Sequence, residues 1–219
     1  MGTATIAGKE YQTAIMPDGK EWMAEHLQDA GAGGAWYGGS VANAALGRHY
    51  SEANVRAMAY PDGWRVPTYA DMTNLLSLTG PSAGQAHRLS SPDGGWLAAY
   101  AINCTDDYGF HMTPTGEYFS DGWFFADRFG FLWYGLDHPT YIWALEFDAT
   151  MNSIVRQRNN TPGTQSIFPV RLVRNASQMN LHVVHDGSWK RVSEQHQIDG
   201  EWVKSSKIFV PSSGAWAQS

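Results

Sequence analysis

The side chains with reactive chemistry to offer are few and widely spaced. Cys104 is the single cysteine. In Asn103-Cys104-Thr105 it has no neighbouring histidine to generate a thiolate, so it reads as a buried, inert thiol. His182 and His185 stand three apart in an extended stretch, on opposite faces of a strand, and the other histidines keep no ligand rhythm. Asp106, Asp107, Glu117, Asp121 and Asp127 carry the hard oxygens that calcium takes, but as loop acids they read as solvated. Glu117 and Glu146 flank an aromatic stretch, the composition of a glycan hydrolase with paired carboxylates, whose chemistry rests on a separation that sequence does not supply. Gly31 to Gly34 and Gly38-Gly39 lack the Gly-Lys-Ser/Thr that completes a phosphate loop. No catalytic residue, metal ligand set or cofactor is assigned, and the chain is expected not to be an enzyme.

The richest segment is Asp121-Gly-Trp-Phe-Phe-Ala-Asp-Arg-Phe-Gly130, continued by Trp133, Tyr134, Asp137, His138 and Tyr141. Strand alternation is not expected to bury every ring in it, and the glycines mark part of it as loop. Exposed rings beside an arginine suit recognition, because each gives a large contact area at low entropic cost. Trp123, Phe124, Phe125, Arg128, Trp133, Tyr134, His138 and Tyr141 are therefore the expected ligand-binding residues. The competing reading places these rings in a core or a subunit interface.

Elements must position this segment. Thr68 and Asp71 predict a capped helix in which Met72, Leu75, Leu76 and Leu78 recur until Gly80-Pro81. A second helix is expected from Ser51, with Val55, Met58 and Ala59 inward and Pro61 ending it. After Gly94, strands are expected at Trp96 to Tyr100, Gly109 to Met112, Phe129 to Tyr134, Tyr141 to Phe147, Ser153 to Arg158 and Ile167 to Arg174. In the fourth, one face (Tyr141, Trp143, Leu145, Phe147) is expected to meet a core.

Composition narrows the classes further. The 219 residues include ten Trp, ten Tyr, nine Phe and 23 Gly, only 16% are charged, and the net charge is −6. Low charge with dense aromatics argues against disorder and for a loop-rich β or α+β protein. Without clustered Lys and Arg, no nucleic-acid partner is expected. No apolar run suggests membrane insertion, and Met1 to Glu10 lack the regions of a signal peptide, so synthesis in the cytoplasm is expected.

Beyond the polar break at Asn175 to Asn180, Asp186-Gly-Ser-Trp-Lys190, Asp199-Gly-Glu-Trp-Val-Lys204 and Ser213-Gly-Ala-Trp-Ala217 repeat, with Trp189, Trp202 and Trp216 at intervals of 13 and 14 residues. This period predicts a small β-meander serving assembly through its tryptophans.

Five further stretches carry a resemblance: Asp18-Gly-Lys-Glu-Trp-Met-Ala-Glu-His-Leu27; Tyr60-Pro-Asp-Gly-Trp-Arg-Val-Pro-Thr68; Asp107-Tyr-Gly-Phe110 with Thr113-Pro-Thr-Gly116; Phe131-Leu-Trp-Tyr134; and Phe168-Pro-Val-Arg-Leu-Val-Arg174. Over residues 10 to 175 the chain resembles the Fibrobacter succinogenes major paralogous domain, a branch of the C-type-lectin-like fold. His26 stands where that family usually has Asn, and Tyr60 and Leu172 stand where cysteines are common. That joint loss looks like the loss of one disulfide. The resemblance marks Trp22, Trp64 and Arg65 as scaffold.

It implies an α+β fold, a C-type-lectin-like domain with short helices and a twisted antiparallel sheet, followed by the small β-meander. The expected division is an arm (1–9), the lectin-like domain (10–175), a linker (176–180) and the Trp-repeat tail (181–219). Oxidases of this fold need a cysteine pair, and its calcium-dependent lectins carry Glu-Pro-Asn and Trp-Asn-Asp motifs; this chain has neither. Similar folds display variable loops in tropism-determining phage proteins, and Gly-x-Trp-Lys repeats resemble those ending many tail and fibre proteins. The implied function is recognition of a host cell-surface glycan or protein by a non-enzymatic bacteriophage virion protein of the tail fibre or tip. By resemblance it would be a homotrimer bound to other virion proteins. The alternatives are a structural virion subunit of baseplate, fibre-joining or capsid-decorating type, and, further off, a glycan-acting enzyme.

Overall fold

The computed structural model describes residues 1–119, 122–137, 142–150, 153–159 and 166–176. It also describes, as backbone, the strands lying between 181 and 218. Two units divide at Ala176 and Ser177.

The first unit opens with strands β1 (Gly2–Ile6), β2 (Lys9–Ile15) and β3 (Lys20–Met23), none of them foreseen from the sequence. Ala7 and Gly8, at φ of 49° and 78°, form the two-residue turn that joins β1 to β2. Positive φ at both turn positions gives the hairpin a twist that matches its strands. Short strands β4 (Ala35–Trp36) and β5 (Arg48–His49) follow, with 3-10 turns at Tyr37–Gly39 and Val41–Leu46 between them. Next come helices α1 (Glu52–Ala57), α2 (Tyr69–Leu78), α3 (Gln85–Leu89) and α4 (Ala98–Ala101). Strands β6 (Glu117–Phe119), β7 (Gly122–Phe124), β8 (Phe129–Tyr134), β9 (Ile142–Asp148), β10 (Ser153–Asn159) and β11 (Val173–Asn175) complete the unit. The architecture is mixed α+β and β-rich, with antiparallel sheets ordered β1-β2-β3-β11 and β10-β9-β8. Among the described residues, no helix is long and apolar enough to cross a membrane.

Both foreseen helices form where their caps stand. Ser51 and Thr68 each accept from the backbone three residues on, and Asn54 and Asp71 return the bond, closing two capping boxes. α1 stops at Ala57, so Val55 is buried while Ala59 lies in solvent, a correction to the inward placing of Ala59. Three expected strands are also corrected. Of Ile167 to Arg174 only the end pairs as a strand, β11, with isolated bridges at Ile167 and Phe168. Trp96 to Tyr100 leads into α4, because Leu97 and Ala98 carbonyls are taken up by local turn bonds, and Gly109 to Met112 makes only an isolated bridge from Met112 to Ser90.

The sheet β10-β9-β8 is a partition with an apolar core on either side. Leu132, Tyr134, Leu145 and Phe147 belong to one core, with Met72 and Leu75 of α2. Phe131, Trp133, Ile142 and Ala144 belong to the other, with Tyr11, Tyr50 and Phe168. The expectation that alternation leaves one face of these strands outside is thereby corrected, since a strand covered on both faces buries odd and even positions alike.

Among the described residues of the second unit, antiparallel strands pair as β12 (Leu181–His185) with β13 (Ser188–Val192), β14 (Gln197–Ile198) with β15 (Glu201–Trp202), and β16 (Phe209–Ser212) with β17 (Ala215–Gln218). Each repeat contributes the second strand of one pair, and its tryptophan stands at a register position opposite Val184, Gln197 or Pro211.

Candidate functional site

The family-like signatures converge on one structural hub. Asp71 of α2 accepts from the Thr68 backbone and hydroxyl (both 2.8 Å), from Arg65 through both guanidinium nitrogens, and from Lys20 Nζ at 2.5 Å. Arg65 pairs its backbone with Val173 of β11, and Arg174 bonds Glu21 at 2.8 Å while covering the Trp64 ring at 4.5 Å. Trp22 and Trp64 are buried, and the Trp22 indole N–H donates to Asp18. These residues tie β3, β11 and α2 together and leave little free for a ligand.

The aromatic segment is organised differently. β6 and β7 form a hairpin pairing Glu117 with Phe124 and Tyr118 with Trp123. Trp123 is half-buried, packed on Tyr37 and His49 (ring centroids 5.0 Å each) and on Tyr118 (5.2 Å). Beneath it His49 is fully buried, its Nε2 donating to the Thr115 carbonyl at 3.0 Å. Burial lowers its pKa to about 4, so it stays a neutral support. Gly116, at φ 60°, lets the Phe124 carbonyl pass close by; a Cβ there would lie 2.5 Å from that oxygen.

Trp123 thus anchors the hairpin, and the next two rings stand in solvent. Phe124 and Phe125 are each 43% exposed, with centroids 5.8 Å apart. Phe125 takes φ 63°, a left-handed backbone uncommon for an aromatic residue, and its carbonyl accepts from the Arg128 and Phe129 backbone at 3.1 Å. The Asp127 and Arg128 carbonyls accept from Leu97 and Ala149, fixing the turn to the body (2.9 Å each). From Phe125 a run of rings leads inward through Phe129 (5.2 Å), Phe131 (6.1 Å) and Phe168 (4.6 Å). The displayed pair therefore stands on packed aromatic material.

The predicted ligand residues divide accordingly. Trp123, Phe124, Phe125 and Arg128 come together on the hairpin and its turn, with Arg128 exposed and 3.7 Å from Asp127. Trp133 and Tyr134 are fully buried, and the Trp133 indole donates to the Tyr50 carbonyl at 2.7 Å. Their placing in a binding surface is corrected: β8 runs between two cores and presents neither ring to solvent. His138 and Tyr141 lie outside the described residues, as do the side chains of Trp189, Trp202 and Trp216. Sequence reasoning missed Tyr37 and His49, which seat Trp123 from a 3-10 turn and from β5, about 80 residues earlier in the chain.

The residues first weighed for chemistry have structural settings. Cys104 is a buried free thiol, pushed up to about 11 by burial and by Asp106. The Asp106 carboxylate accepts from the His111 backbone at 2.7 Å and meets its ring at 3.0 Å. Glu117 lies on β6, its carboxyl raised by burial, and Glu146 on β9. Among the described residues, no three His, Cys, Asp or Glu side chains are grouped to hold a metal ion.

Comparison with curated proteins and with solved structures finds no match. The model of the Fibrobacter succinogenes major domain matches residues 7–174, the span that contains the hub, the aromatic hairpin and all of both cores but Ile6 and the neighbouring Ala4 of β1. The chain belongs to the Fibrobacter succinogenes major domain family.

Proposed function

We propose that this chain is a non-enzymatic recognition protein of a bacteriophage virion, a C-type-lectin-like domain that presents the Phe124-Phe125 hairpin to a host cell-surface glycan or protein. The observation that carries the proposal is the exposure of two adjacent phenylalanines on a hairpin seated on Trp123, Tyr37 and His49. Large apolar rings held in a fixed pose bury contact area without ordering a loop, the economy that binding surfaces use. The buried, poorly ionised Cys104 supports a non-catalytic role. The Trp-repeat strands would serve assembly into a homotrimeric tail fibre or tip, where multivalent display compensates for weak single sites.

The same exposed pair supports one other reading, a structural virion subunit in which a neighbouring chain covers Phe124 and Phe125. Binding of labelled protein to a panel of intact bacteria separates the two. Saturable binding to particular strains, lost in the Phe124→Ala, Phe125→Ala variant while oligomer size is unchanged, is the expected result. A variant that keeps its binding moves the site elsewhere, and one that loses its oligomeric state supports the structural subunit.

A further inference from the structure

A cleft of about 420 Å³, with neither displayed ring in its lining, lies between the segment after β3, the second 3-10 turn, and the stretches at 93–94 and 111–113. Its lining includes Glu25, His26, Asp93, His111, Thr113 and Arg171. Two of these are buried: Arg171 is 1% exposed and His26 2%.

Arg171 is held only by neutral groups. Its Nη1 donates to the Phe110 carbonyl and its Nη2 to the His111 carbonyl at 2.8 Å, and the Phe110 ring lies 4.8 Å away. Nε and Nη2 face the two ring nitrogens of His26 at 3.4 and 3.3 Å, a contact that needs a neutral imidazole. His26 Nε2 also meets the Thr113 hydroxyl at 2.9 Å. These partners orient the guanidinium without balancing its charge, and Arg171 forms no ion pair among the described residues. The acids that act on it from further off have other partners: Asp106 holds His111, and Glu25 lies 3.7 Å from Lys9. A buried charge is ordinarily paired, and one left unpaired in the wall of a cleft marks the place for an anionic group.

The remaining charges narrow the class. Glu25 and Asp93 line the same cleft, so a simple anion meets two carboxylates and a simple cation meets Arg171. A ligand carrying both signs answers both. The volume suits a molecule the size of an amino acid or a small amino-sugar acid.

We propose that this cleft is a binding site for a small amino-carboxylate, its carboxylate completing Arg171 and its ammonium group lying toward Glu25 and Asp93. The site is independent of the aromatic hairpin, and its test does not involve bacteria.

The test is an amide NMR titration of the full chain with L-alanine and D-alanine as zwitterions, acetate as the anion alone and ethylamine as the cation alone. The expected result is saturable shifts at Glu25 to Gln28, Asp93-Gly94 and His111 to Thr113 with alanine, and affinities about tenfold weaker for acetate and ethylamine, as expected when one charged hydrogen bond is lost. Glu25→Gln, a change at a half-exposed position, is expected to bring alanine down toward acetate while leaving the rest of the spectrum in place. Equal responses to all probes, shifts confined to other regions, no saturable response to alanine, or an unchanged preference in Glu25→Gln would each overturn the proposal.

Discussion

Asp71 and Arg171 are both charged, both buried, and both at junctions of elements, yet they are solvated by the protein in opposite ways. Around Asp71, burial raises the carboxyl pKa, but hydrogen bonds from Arg65, Lys20 and Thr68 outweigh it and hold the group well below the usual carboxylate range. Around Arg171, burial dominates and lowers the guanidinium to about 9, with only distant help from Asp106 and Glu25. The anion is closed off by two cations and a helix cap. The cation is fixed by carbonyls and an imidazole that give it direction but no counter-charge. A complete set of partners makes a scaffold, whereas an incomplete one beside a cleft leaves room for a ligand.

Removing the scaffold charge should have the largest effect. Asp71→Ala takes away the returning half of the α2 capping box and leaves Arg65 and Lys20 without their shared carboxylate, and a loss of about 3 kcal/mol is expected in urea unfolding. A loss below that of an ordinary helix cap would mean that Arg65 and Lys20 are indifferent to it.

Acid should distinguish the two centres next. His26 is held neutral by burial and then by Arg171, and His49 by burial, so both folded pKa values lie below 6.5. The unfolded chain then binds more protons: this contribution to stability is full above about pH 6.5 and erodes as pH falls toward the folded values. For His49, whose folded pKa is about 4, the cost approaches about 2 kcal/mol between pH 6.5 and 5, and His26→Asn should flatten the slope seen in wild-type denaturation. Asp71 takes no part until lower pH, where its stabilisation is lost as the medium falls through and below the ordinary carboxylate range.

Two smaller effects sharpen the contrast. Arg171→Met gives up bonds to two carbonyls but removes an unbalanced buried charge, so a net change of only about 1 kcal/mol is expected, well short of Asp71→Ala. Lys20→Met leaves Asp71 its Arg65 fork and its cap and should cost less than about 1 kcal/mol by the same assay, since Lys20 is partly solvated.

Much of the scaffold was legible because its information is local. Thr68 and Asp71 announce α2 by a spacing that any capping box needs, and β8 follows its expected bounds, Phe129–Tyr134, because aromatic residues suit a pleated strand. β1 to β3 were missed because their strand pairing, not a clean alternation, stabilises them: β2 reads half-buried, exposed, buried, exposed, buried, buried, exposed. The site was legible only in part. Phe124 and Phe125 stood out by type, but Trp133 and Tyr134 did so equally, and only the second core behind β8 tells them apart. Arg171 read as part of a closing signature. Its missing counter-ion is a fact of tertiary arrangement, invisible in a sequence that carries more acids than bases.

The pairing of β11 with β3 has a consequence for how such a domain travels between proteins. Val173 lies opposite Trp22, and β3 is separated from β1 by β2 alone. Neighbouring strands are about 5 Å apart, so β11 lies about three strand spacings across the sheet from β1. A host protein could accept it as an insert in a surface loop whose ends stand about 15 Å or more apart. Fusion into the loop of an unrelated carrier should therefore yield two bodies that melt separately, each with its own transition.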